Sequence, residues 1–331
     1  MIVALRAAWV AGCALLAGFA VAAALGFVHP VLDLFNHLQP LLLSGLIAVL
    51  VLSALMIRAE PWRALVLTIA ATGVVASSMI YIPEAVRGWN AGMDEQTPDS
   101  TVYRLVTFNV FGRNERPELI LDTLDTIDPD IVALQEYSPQ VRRAIHTELT
   151  ERFDHFQYCV GGQRAFVGLY SKLAFEPLSQ DACSASAVST DRTARIMVRF
   201  DPEASRAFSL ATTHNDWPAP ITRQTAQFAA LADALVGTPD PIIMVGDFNS
   251  TPWSYALRGF VDTAGLRRHT YNRPTFPALW HYLGAWRPAL PILPIDHVLT
   301  RGGLSVHSID TAAPSASDHL PIVVTFSVPA S

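Results

Sequence analysis

Three long apolar stretches at the start of the chain limit what it can fold into more than any other feature. They cover residues 7–28, 39–57 and 64–82. Each approaches or reaches the roughly 20 residues that an α-helix needs to cross a bilayer. The first stretch alone could be a signal peptide, but it is long and two more stretches follow it. Three such stretches in succession are unusual for a globular core, so we predict a membrane region with three transmembrane helices over residues 1–87.

The arginines beside these stretches predict how the chain is oriented in the membrane. Arg6 precedes the first stretch, Arg58 and Arg63 lie between the second and third, and the link between the first two has no Arg or Lys. Because cytoplasmic links are enriched in Arg and Lys, the N-terminus and the second link should be cytoplasmic. Arg87, after the third stretch, is the one nearby basic residue against this orientation. We expect a multi-pass protein of the cell membrane whose remaining residues are extracytoplasmic.

The net charge and the cysteines bear on nucleic-acid binding, metal binding and disulfide formation. The formal net charge is −6, Lys172 is the only lysine, and there is no dense run of basic residues. Nothing therefore indicates a basic arm for nucleic acid, although a local positive groove stays possible. Cys13 lies in the first stretch, whereas Cys159 and Cys183 share the outer region, where oxidation is possible. Their spacing fits no metal motif, and a disulfide between them is left open.

The rest of the chain has the pattern of a strand-rich domain. Residues 88–100 are polar, contain Gly and Pro, and are typical of a linker, which leaves residues 101–331 as the outer domain. Short apolar runs that predict strands alternate with longer segments of helical periodicity. We expect strands near 102–110, 130–136, 153–160, 165–170, 194–200, 206–213, 241–247, 295–300 and 321–328, and helices at 117–127, 139–151 and 221–236. The simplest arrangement is two packed sheets with outer helices.

Polar side chains recur where these predicted strands end. In "IIMVGDFNST", residues 242–251, Asp247 and Asn249 would share one face of an extended strand end. An ordinary turn is the simpler explanation of that stretch alone. Comparable groups end or begin other predicted strands, namely Asn109, Glu136, His214, Asp296, Asp318 and His319. Acids and amides together form an oxygen-rich site for a hard cation such as Mg²⁺, and histidines beside aspartates can transfer protons.

These segments, in this order, resemble the endonuclease/exonuclease/phosphatase superfamily. The matching pieces are "TFNVFGRN" (107–114), "DIVALQE" (130–136), "GLYSK" (168–172), "TTHNDWP" (212–218), "VGDFNSTP" (245–252), "IDHVL" (295–299) and "SDHLPI" (317–322). They cover essentially the whole outer domain and none of the first hundred residues. The resemblance implies a four-layer α/β/β/α sandwich, in which two mixed sheets lie face to face between outer helices. It also implies that the site lies at one edge, where the strand ends converge.

The resemblance further implies a divalent metal site. Glu136 matches the main Mg²⁺ ligand of the superfamily, Asn109 lies beside it, and Asp318 matches a further acid at the metal edge. Mg²⁺ is the expected cofactor and Mn²⁺ a possible substitute.

The remaining site residues match the superfamily's catalytic groups. Asp247 matches the carboxylate that orients or deprotonates the attacking water, and Asn249 the amide that holds phosphate or water. Asp296 and His319 match the pair in which the aspartate fixes the tautomer of the histidine. His214 matches a histidine that contacts the phosphate or protonates the leaving oxygen. The implied activity is hydrolysis of phosphate esters by a membrane-anchored phosphodiesterase or phosphatase.

The sequence leaves the substrate open. The stretch over residues 273–294 precedes Asp296 and contains Trp280, Tyr282 and Trp286. Such aromatic residues could stack on the bases of a nucleic acid, lie at a phospholipid interface, or pack on the domain surface. An extracytoplasmic nuclease is therefore the enzymatic alternative, and a catalytically idle binding module on the same fold is the alternative from another class. No protein partner is predicted.

Overall fold

The computed structural model describes residues 1–57, 60–96, 101–159, 166–178, 194–201, 206–282 and 284–328. The chain forms two compact units, one of Met1–Asn90 with Thr251–Gly259 and the other of Ala91–Ser250 with Phe260–Ser331. Arg58 and Cys183, on which two of the sequence predictions depend, lie outside the described residues. The domain limits 1–87, 88–100 and 101–331 stay predictions.

The first unit is built from long apolar helices. Its elements before the second unit are α1 (Ile2–Ala24), α2 (Pro30–Asp33), a 3₁₀ turn (Leu34–Leu38), α3 (Gln39–Met56) and α4 (Glu60–Asn90). Among the described residues, three helical segments are long and apolar enough to cross a membrane, as the sequence predicts: Val3–Ala24, Pro30–Met56 and Pro61–Asn90. Helix α4 continues three residues into the predicted linker, and beyond it the backbone N–H of Asp94 donates to Val306 O at 2.9 Å.

Small residues allow these helices to approach one another closely. A Cβ added at Gly73 of α4 would lie 2.9 Å from the Cα of Ala17 in α1. Ala17 and Ala20 are buried there against Leu46 of α3. Small side chains at helix contacts are the usual means by which apolar helices pack where no hydrophobic effect drives their association.

A buried acid in the same unit holds the segment Thr251–Gly259. The carboxylate of Asp33 accepts hydrogen bonds from Ser254 Oγ at 2.8 Å and from the backbone N–H groups of Tyr255 and Ala256 at 2.8 and 3.0 Å. Tyr81 of α4 stacks on Trp253, with ring centroids 5.4 Å apart. The helix that begins at Tyr255 is thus capped by a side chain more than two hundred residues earlier in the chain.

The second unit contains the predicted strand-rich domain. Its elements are β1 (Val102–Asn109), α5 (Glu118–Ile127), β2 (Ile131–Gln135), α6 (Pro139–Arg152), β3 (His155–Cys159), β4 (Val167–Ser171), β5 (Phe175–Pro177), β6 (Ala194–Phe200), β7 (Phe208–His214), α7 (Ile221–Leu235), β8 (Ile242–Asp247), β9 (Arg267–Arg268), β10 (Leu279–Tyr282), β11 (Ala285–Pro288), β12 (Asp296–Arg301), β13 (Ser305–Thr311) and β14 (Ile322–Ser327). Helix α8 (Tyr255–Thr263) belongs to the first unit up to Gly259 and to the second from Phe260.

The described strands form two six-stranded mixed sheets and one separate hairpin. The first sheet has the order β13-β14-β1-β2-β4-β3, and the second has the order β5-β6-β7-β8-β12-β9. Each sheet contains one parallel pair, β1 with β2 and β7 with β8, among antiparallel neighbours. Strands β10 and β11 pair with each other.

The sheets face each other across an apolar core, and helices cover the outside. Leu105, Ile131, Leu210, Val245 and Val324 are members of the cluster between the sheets. A second cluster lies between the first sheet and helices α5 and α6, and it includes Phe108, Ile120, Leu124, Ile145 and Leu149. On the other side, Phe228 of α7 stacks on Phe260, which also contacts Phe248. The predicted four-layer sandwich of two mixed sheets with outer helices is confirmed.

The predicted strands and helices of this domain exist with ends shifted by at most two residues, but several elements were missed. Missed are β5, α8, β9, the β10–β11 hairpin and β13. The residues of β10 and β11 are mostly exposed, and in β13 only Val306 and Ile309 are buried, among polar residues that are partly or fully exposed. Strands with so little continuous apolar sequence carry a weak local signal, because packing on neighbours rather than backbone preference determines where they form.

The structure also shows the state of two of the three cysteines. Cys159 is buried and disulfide-bonded, and Cys13 is a free, buried thiol. The pairing of Cys159 with Cys183, which the sequence leaves open, involves a residue outside the described part of the chain.

Candidate active site

Polar side chains from both sheets meet at one edge of the sandwich. The parallel strands β1 and β2 end at Asn109 and Gln135, and Glu136 follows β2 directly. In the second sheet, β7 and β8 end at the paired residues His214 and Asp247. Strand β12 begins at Asp296, opposite Asp247. Because the carboxyl ends of the two parallel pairs point to the same edge, the side chains at these ends lie together.

The turn after β8 brings Asp247 and Asn249 together. Gly246 has φ 142°, and a Cβ there would lie 2.1 Å from Thr213 O on β7, so only glycine fits. The expected geometry of Asn249 was wrong, because β8 ends at Asp247 and Asn249 has φ 48°. The backbone N–H of Asn249 instead donates to Asp247 Oδ1 at 2.8 Å. This contact is an Asx turn, so the stretch is both a turn and a convergence of polar side chains.

Asp247 lies at the centre of the cluster and is completely buried. Asn109 Nδ2, from the first sheet, donates to its Oδ2 at 2.9 Å and thereby joins the two sheets. His214 Nε2 and His319 Nε2 lie 3.5 and 3.7 Å from the same oxygen. Burial raises the pKa of Asp247 to about 7, and the nearby charge of Asp296 adds to the rise. A carboxylate poised near neutrality can accept a proton from water or orient it.

Asp296 fixes the orientation of His319. His319 Nδ1 donates to Asp296 Oδ2 at 2.8 Å, which is the pairing that the resemblance implies. Thr275 Oγ1 donates to the same carboxylate oxygen. Burial alone would lower the pKa of His319, but Asp296 and Asp247 raise it to about 10. The ring is therefore an imidazolium at neutral pH, with Nε2 directed towards Asp247.

Glu136 and Asp318 form the more open, acidic side of the cluster. Glu136 has φ 52°, and its Oε2 accepts from the backbone N–H of Gly112 at 2.8 Å. Burial opposes its ionisation, but His214 and the Gly112 hydrogen bond bring its pKa below the usual value. Burial raises the pKa of Asp318 to about 6, and the charge of Glu136 adds to the rise while His319 opposes it.

Three of the eight non-glycine residues with positive φ in the described part of the chain lie at this edge. Phe111, Glu136 and Asn249 all have positive φ angles, of 58°, 52° and 48°, although none is glycine. Non-glycine residues with such angles are uncommon, and they cluster at functional sites, where the surrounding structure holds them. The strain is an indicator of function that the sequence did not reveal.

Asn249 presents a buried oxygen towards the cluster. Its Nδ2 donates to Asn215 O at 2.8 Å, which sets the orientation of the amide. Its Oδ1 is buried and has no hydrogen-bond partner among the described residues. Gln224 Nε2 donates to the backbone oxygen of Asn249 and so supports the turn from α7. An acceptor left without a donor in a buried site is expected to meet a ligand, a metal or a bound water.

The donor set fits a divalent cation. Glu136, Asp247, Asp296 and Asp318 place four carboxylates in one small region, and hard cations prefer such oxygen ligands. Asp247, Asp296 and His319 each have a ligand atom within 4.8 Å of the others. A protonated histidine cannot bind a metal, however, because a metal ligand must have a free lone pair. Glu136 and Asp318 are therefore the better candidates to hold the ion.

The structure brings all the predicted site residues to this edge. Asn109 was predicted to belong to the metal site, but both ends of its amide are already hydrogen-bonded. Its Oδ1 accepts from Phe111 N, and its Nδ2 donates to Asp247. In this arrangement Asn109 positions carboxylates. Sequence reasoning missed the supporting residues Gly112, Asn215, Gln224 and Thr275. Gly112, Asn215 and Thr275 lie inside segments already singled out, whereas nothing in the sequence marks Gln224.

The fold and this edge define a class of protein, the two-sheet sandwiches that carry acids and histidines at converging strand ends. The catalytic domain of human nocturnin with bound sulfate has a similar structure, with a TM-score of 0.53, 19% identity, and coverage of 73% of this chain and 99% of that one. Zebrafish TDP2 bound to a single-stranded DNA product gives a TM-score of 0.52 at 16% identity, with coverage of 69% and 100%. At these identities the likeness shows the fold alone.

The chain belongs to the endonuclease/exonuclease/phosphatase family, which its residues 106–319 match. Among curated proteins it is similar to a UPF0294 protein of Vibrio cholerae, with 35% identity over 107 residues. That match covers 30% of this chain and 32% of the relative, so it spans about a third of the relative's length.

Proposed function

We propose that this protein is a membrane-anchored, divalent-metal-dependent hydrolase of phosphate esters. One observation carries the proposal. The buried carboxylate of Asp247 accepts a hydrogen bond from Asn109 of the opposite sheet and lies within 4 Å of the Nε2 atoms of both His214 and His319. A buried acid with a raised pKa, next to an imidazolium in a cluster at strand ends, is typical of an acid–base site.

The geometry supports a division of roles among the residues. Asp247 orients the attacking water and accepts its proton. Asn249 presents its free Oδ1 to that water or to a substrate hydroxyl. His319, held as an imidazolium by Asp296, donates from Nε2 to the phosphate and stabilises the charge that develops there. His214, between Glu136 and Asp247, lies where it can protonate the leaving oxygen.

The metal complements these roles. Held by Glu136 and Asp318, a Mg²⁺ or Mn²⁺ ion would neutralise negative charge on the phosphate oxygens. The local excess of carboxylates supports this assignment, because it leaves the site short of positive charge when no cation is bound.

A metal titration on the full-length protein in detergent tests the proposal. Hydrolysis of a panel of phosphodiesters and phosphomonoesters should stop in excess EDTA and return with Mg²⁺ or Mn²⁺. Glu136→Gln keeps the side-chain size and should raise the Mg²⁺ concentration needed for half-maximal activity as well as lowering turnover. Glu118→Gln, an exposed acid on α5 beside Arg116, is the matched control and should change neither. Full activity in EDTA would contradict metal dependence, and no activity on any ester with metal would favour an idle binding module.

We also propose that the three apolar helices span the membrane with the catalytic unit outside the cytoplasm. Arg6 and Arg63 on one side support this orientation, and Arg87 opposes it. A reporter that is active only outside the cytoplasm, fused after the last residue, should be active. Activity of a cytoplasm-specific reporter alone would reverse the orientation.

The exposed aromatic residues of the β10–β11 hairpin support nuclease activity as a second candidate function. Trp280 and Tyr282 of β10 are each 60% exposed, and Trp286 of β11 contacts Phe111, two residues beyond Asn109. Exposed rings beside a site can stack on bases or enter a lipid interface. Trp280→Ala should therefore lower kcat/KM selectively for one of two substrates, single-stranded DNA or phospholipid in mixed micelles. The substrate that is affected identifies the class, and bis(p-nitrophenyl) phosphate serves as the internal control.

A further inference from the structure

A cavity on the flank of α6 has no role in the site described above. It has a volume of about 360 Å³ and is lined by Pro139, Arg142, Arg143, His146, Thr147, Tyr158 and Phe166. The helix residues among these repeat at intervals of three and four, so they form one stripe along α6. The neighbouring stripe, Val141, Ile145 and Leu149, is buried against the sheet. A volume of this size lies within the range of small-molecule sites.

The cavity is lined by positive charge without a matching acid. None of its described lining residues is acidic, and neither Arg142 nor Arg143 forms an ion pair with any residue in the described part of the chain. The guanidinium of Arg142 lies over the ring of Tyr158, 4.5 Å from its centroid. Stacking orients the guanidinium but leaves its charge uncompensated, which is costly where water is partly excluded.

Two buried hydrogen-bond donors at this cavity also lack an acceptor. Arg142 Nε and the Tyr158 hydroxyl are buried and have no partner among the described residues. His146 is fixed differently, because its Nε2 lies 3.4 Å from Arg142 Nη2 and its Nδ1 lies 2.6 Å from the Tyr170 hydroxyl. Since Arg142 can only donate, the neutral ring accepts at Nε2 and donates at Nδ1. The donors that are left over match an oxyanion.

Two of the residues that line the cavity, Tyr158 and Phe166, lie near the end of β2 that Glu136 follows. Tyr158 of β3 pairs with Gly168 of β4, which pairs with Leu134 of β2, two residues before Glu136. Two strand spacings separate Tyr158 from β2, which is about 10 Å. Phe166 accepts a hydrogen bond at its backbone oxygen from the N–H of Tyr137, the residue after Glu136. A substrate held at Glu136 can therefore extend past this end of β2 into the cavity.

We propose that this cavity is a subsite for a phosphate group of the substrate other than the one that is hydrolysed, bound by Arg142, Arg143 and Tyr158. The proposal rests on the proposed phosphate-ester hydrolysis and adds that the preferred substrate carries at least two phosphate groups. Arg142 Nε and the Tyr158 hydroxyl supply the buried donors, and the exposed Arg143 adds charge at the mouth.

The first experiment measures oxyanion binding without metal or turnover. Pyrophosphate is titrated calorimetrically into the full-length protein in detergent with EDTA. Arg142→Gln should weaken binding at least tenfold, because a charge-assisted hydrogen bond is lost. Tyr158→Phe keeps the ring and the net charge and should weaken it several-fold. Arg152→Gln, on the same helix but ion-paired with Asp125, is the control of equal charge change and should bind normally. Equal binding by all variants would overturn the proposal.

The second experiment tests the role in catalysis with two matched esters. Thymidine 5′-(p-nitrophenyl phosphate) carries one phosphate, and its 3′-phosphorylated derivative carries a second. The wild type should prefer the second ester at least tenfold in kcat/KM. Arg142→Gln should remove that preference through KM, whereas the control Arg152→Gln should keep the preference and leave kcat for both esters unchanged. A preference that survives Arg142→Gln, or no preference in the wild type, would contradict the subsite. If the wild type hydrolyses neither ester nor any other, the proposed function fails, and the titration still decides whether the cavity binds an oxyanion.

Discussion

Replacing Asp247 by asparagine should make the metal-free protein more stable while it destroys activity. The wild-type carboxylate is buried, and its pKa is raised to about 7 from a model-peptide value near 3.8. A group with a raised folded-state pKa costs stability as the pH rises through the interval between the two values. Three pK units correspond to about 4 kcal/mol, so at pH 8 that cost is fully present. Asparagine carries no charge, so the substitution removes this cost in stability.

The amide also brings a cost of its own. Asp247 Oδ1 accepts from the N–H of Asn249, and Oδ2 accepts from Asn109 Nδ2. Whichever way the new amide is turned, its NH₂ faces one of these donors, and one hydrogen bond is lost. An unsatisfied buried donor costs about 1–3 kcal/mol. The net expectation is a gain of roughly 1–3 kcal/mol for the metal-free protein, which is about 2–12 °C in melting temperature for a unit of this size.

Activity should move in the opposite direction. Removal of a general base typically lowers turnover by about 10²–10⁴-fold. Melting is measured in EDTA at pH 8, and turnover is measured with Mg²⁺ on the best substrate of the panel. Asp310→Asn, an exposed acid of β13 that lies 3.9 Å from Arg273, is the matched control and should leave both quantities unchanged. If Asp247→Asn protein is less stable, the burial argument is wrong. If it turns over substrate at a near-normal rate, the assignment of the base is wrong.

The remaining predictions concern stability. Gly246→Ala should unfold the second unit or cost more than about 4 kcal/mol in chemical denaturation, because its Cβ would lie 2.1 Å from Thr213 O; a cost below 1 kcal/mol would contradict the fixed turn. Asp33→Ala should lower the melting temperature of the first unit in detergent, because the N–H groups at the start of α8 lose a buried acceptor, and an unchanged melting curve would show that water replaces it. Burial lowers the pKa of His269 to about 4, so stability should fall as the pH drops from 6.5 towards 4, where the unfolded chain binds a proton that the folded chain does not. His269→Gln should reduce the loss of unfolding free energy between pH 6.5 and 4 by about 3 kcal/mol. If the loss is unchanged, the acid sensitivity comes from other groups.

Part of the candidate site could be found from local patterns. An apolar run followed by an acid or amide is visible in "DIVALQE" and "IIMVGDFN", and each run forms a fully buried strand. Strands buried on both faces are mostly apolar, so polar residues at the ends of these two strands stand out in the sequence. The resemblance then supplied the order of the motifs and the expectation that their ends converge. The geometry of Asn249 was not accessible in this way, because a positive φ at a non-glycine residue leaves no mark in an alternating pattern.

Local sequence patterns and long-range contacts determined different features of this protein. The sequence by itself determined the three apolar helices, the buried strands and the identity of the polar groups at their ends, because periodicity and composition act locally. Only the tertiary structure decided that Asn109 bonds Asp247 across two sheets, that Thr275 supports Asp296, that Thr251–Gly259 folds with the first unit, and that Arg142 lies over Tyr158. These contacts join residues far apart in the chain, and they depend on strand register and layer packing, to which no short stretch of sequence is sensitive.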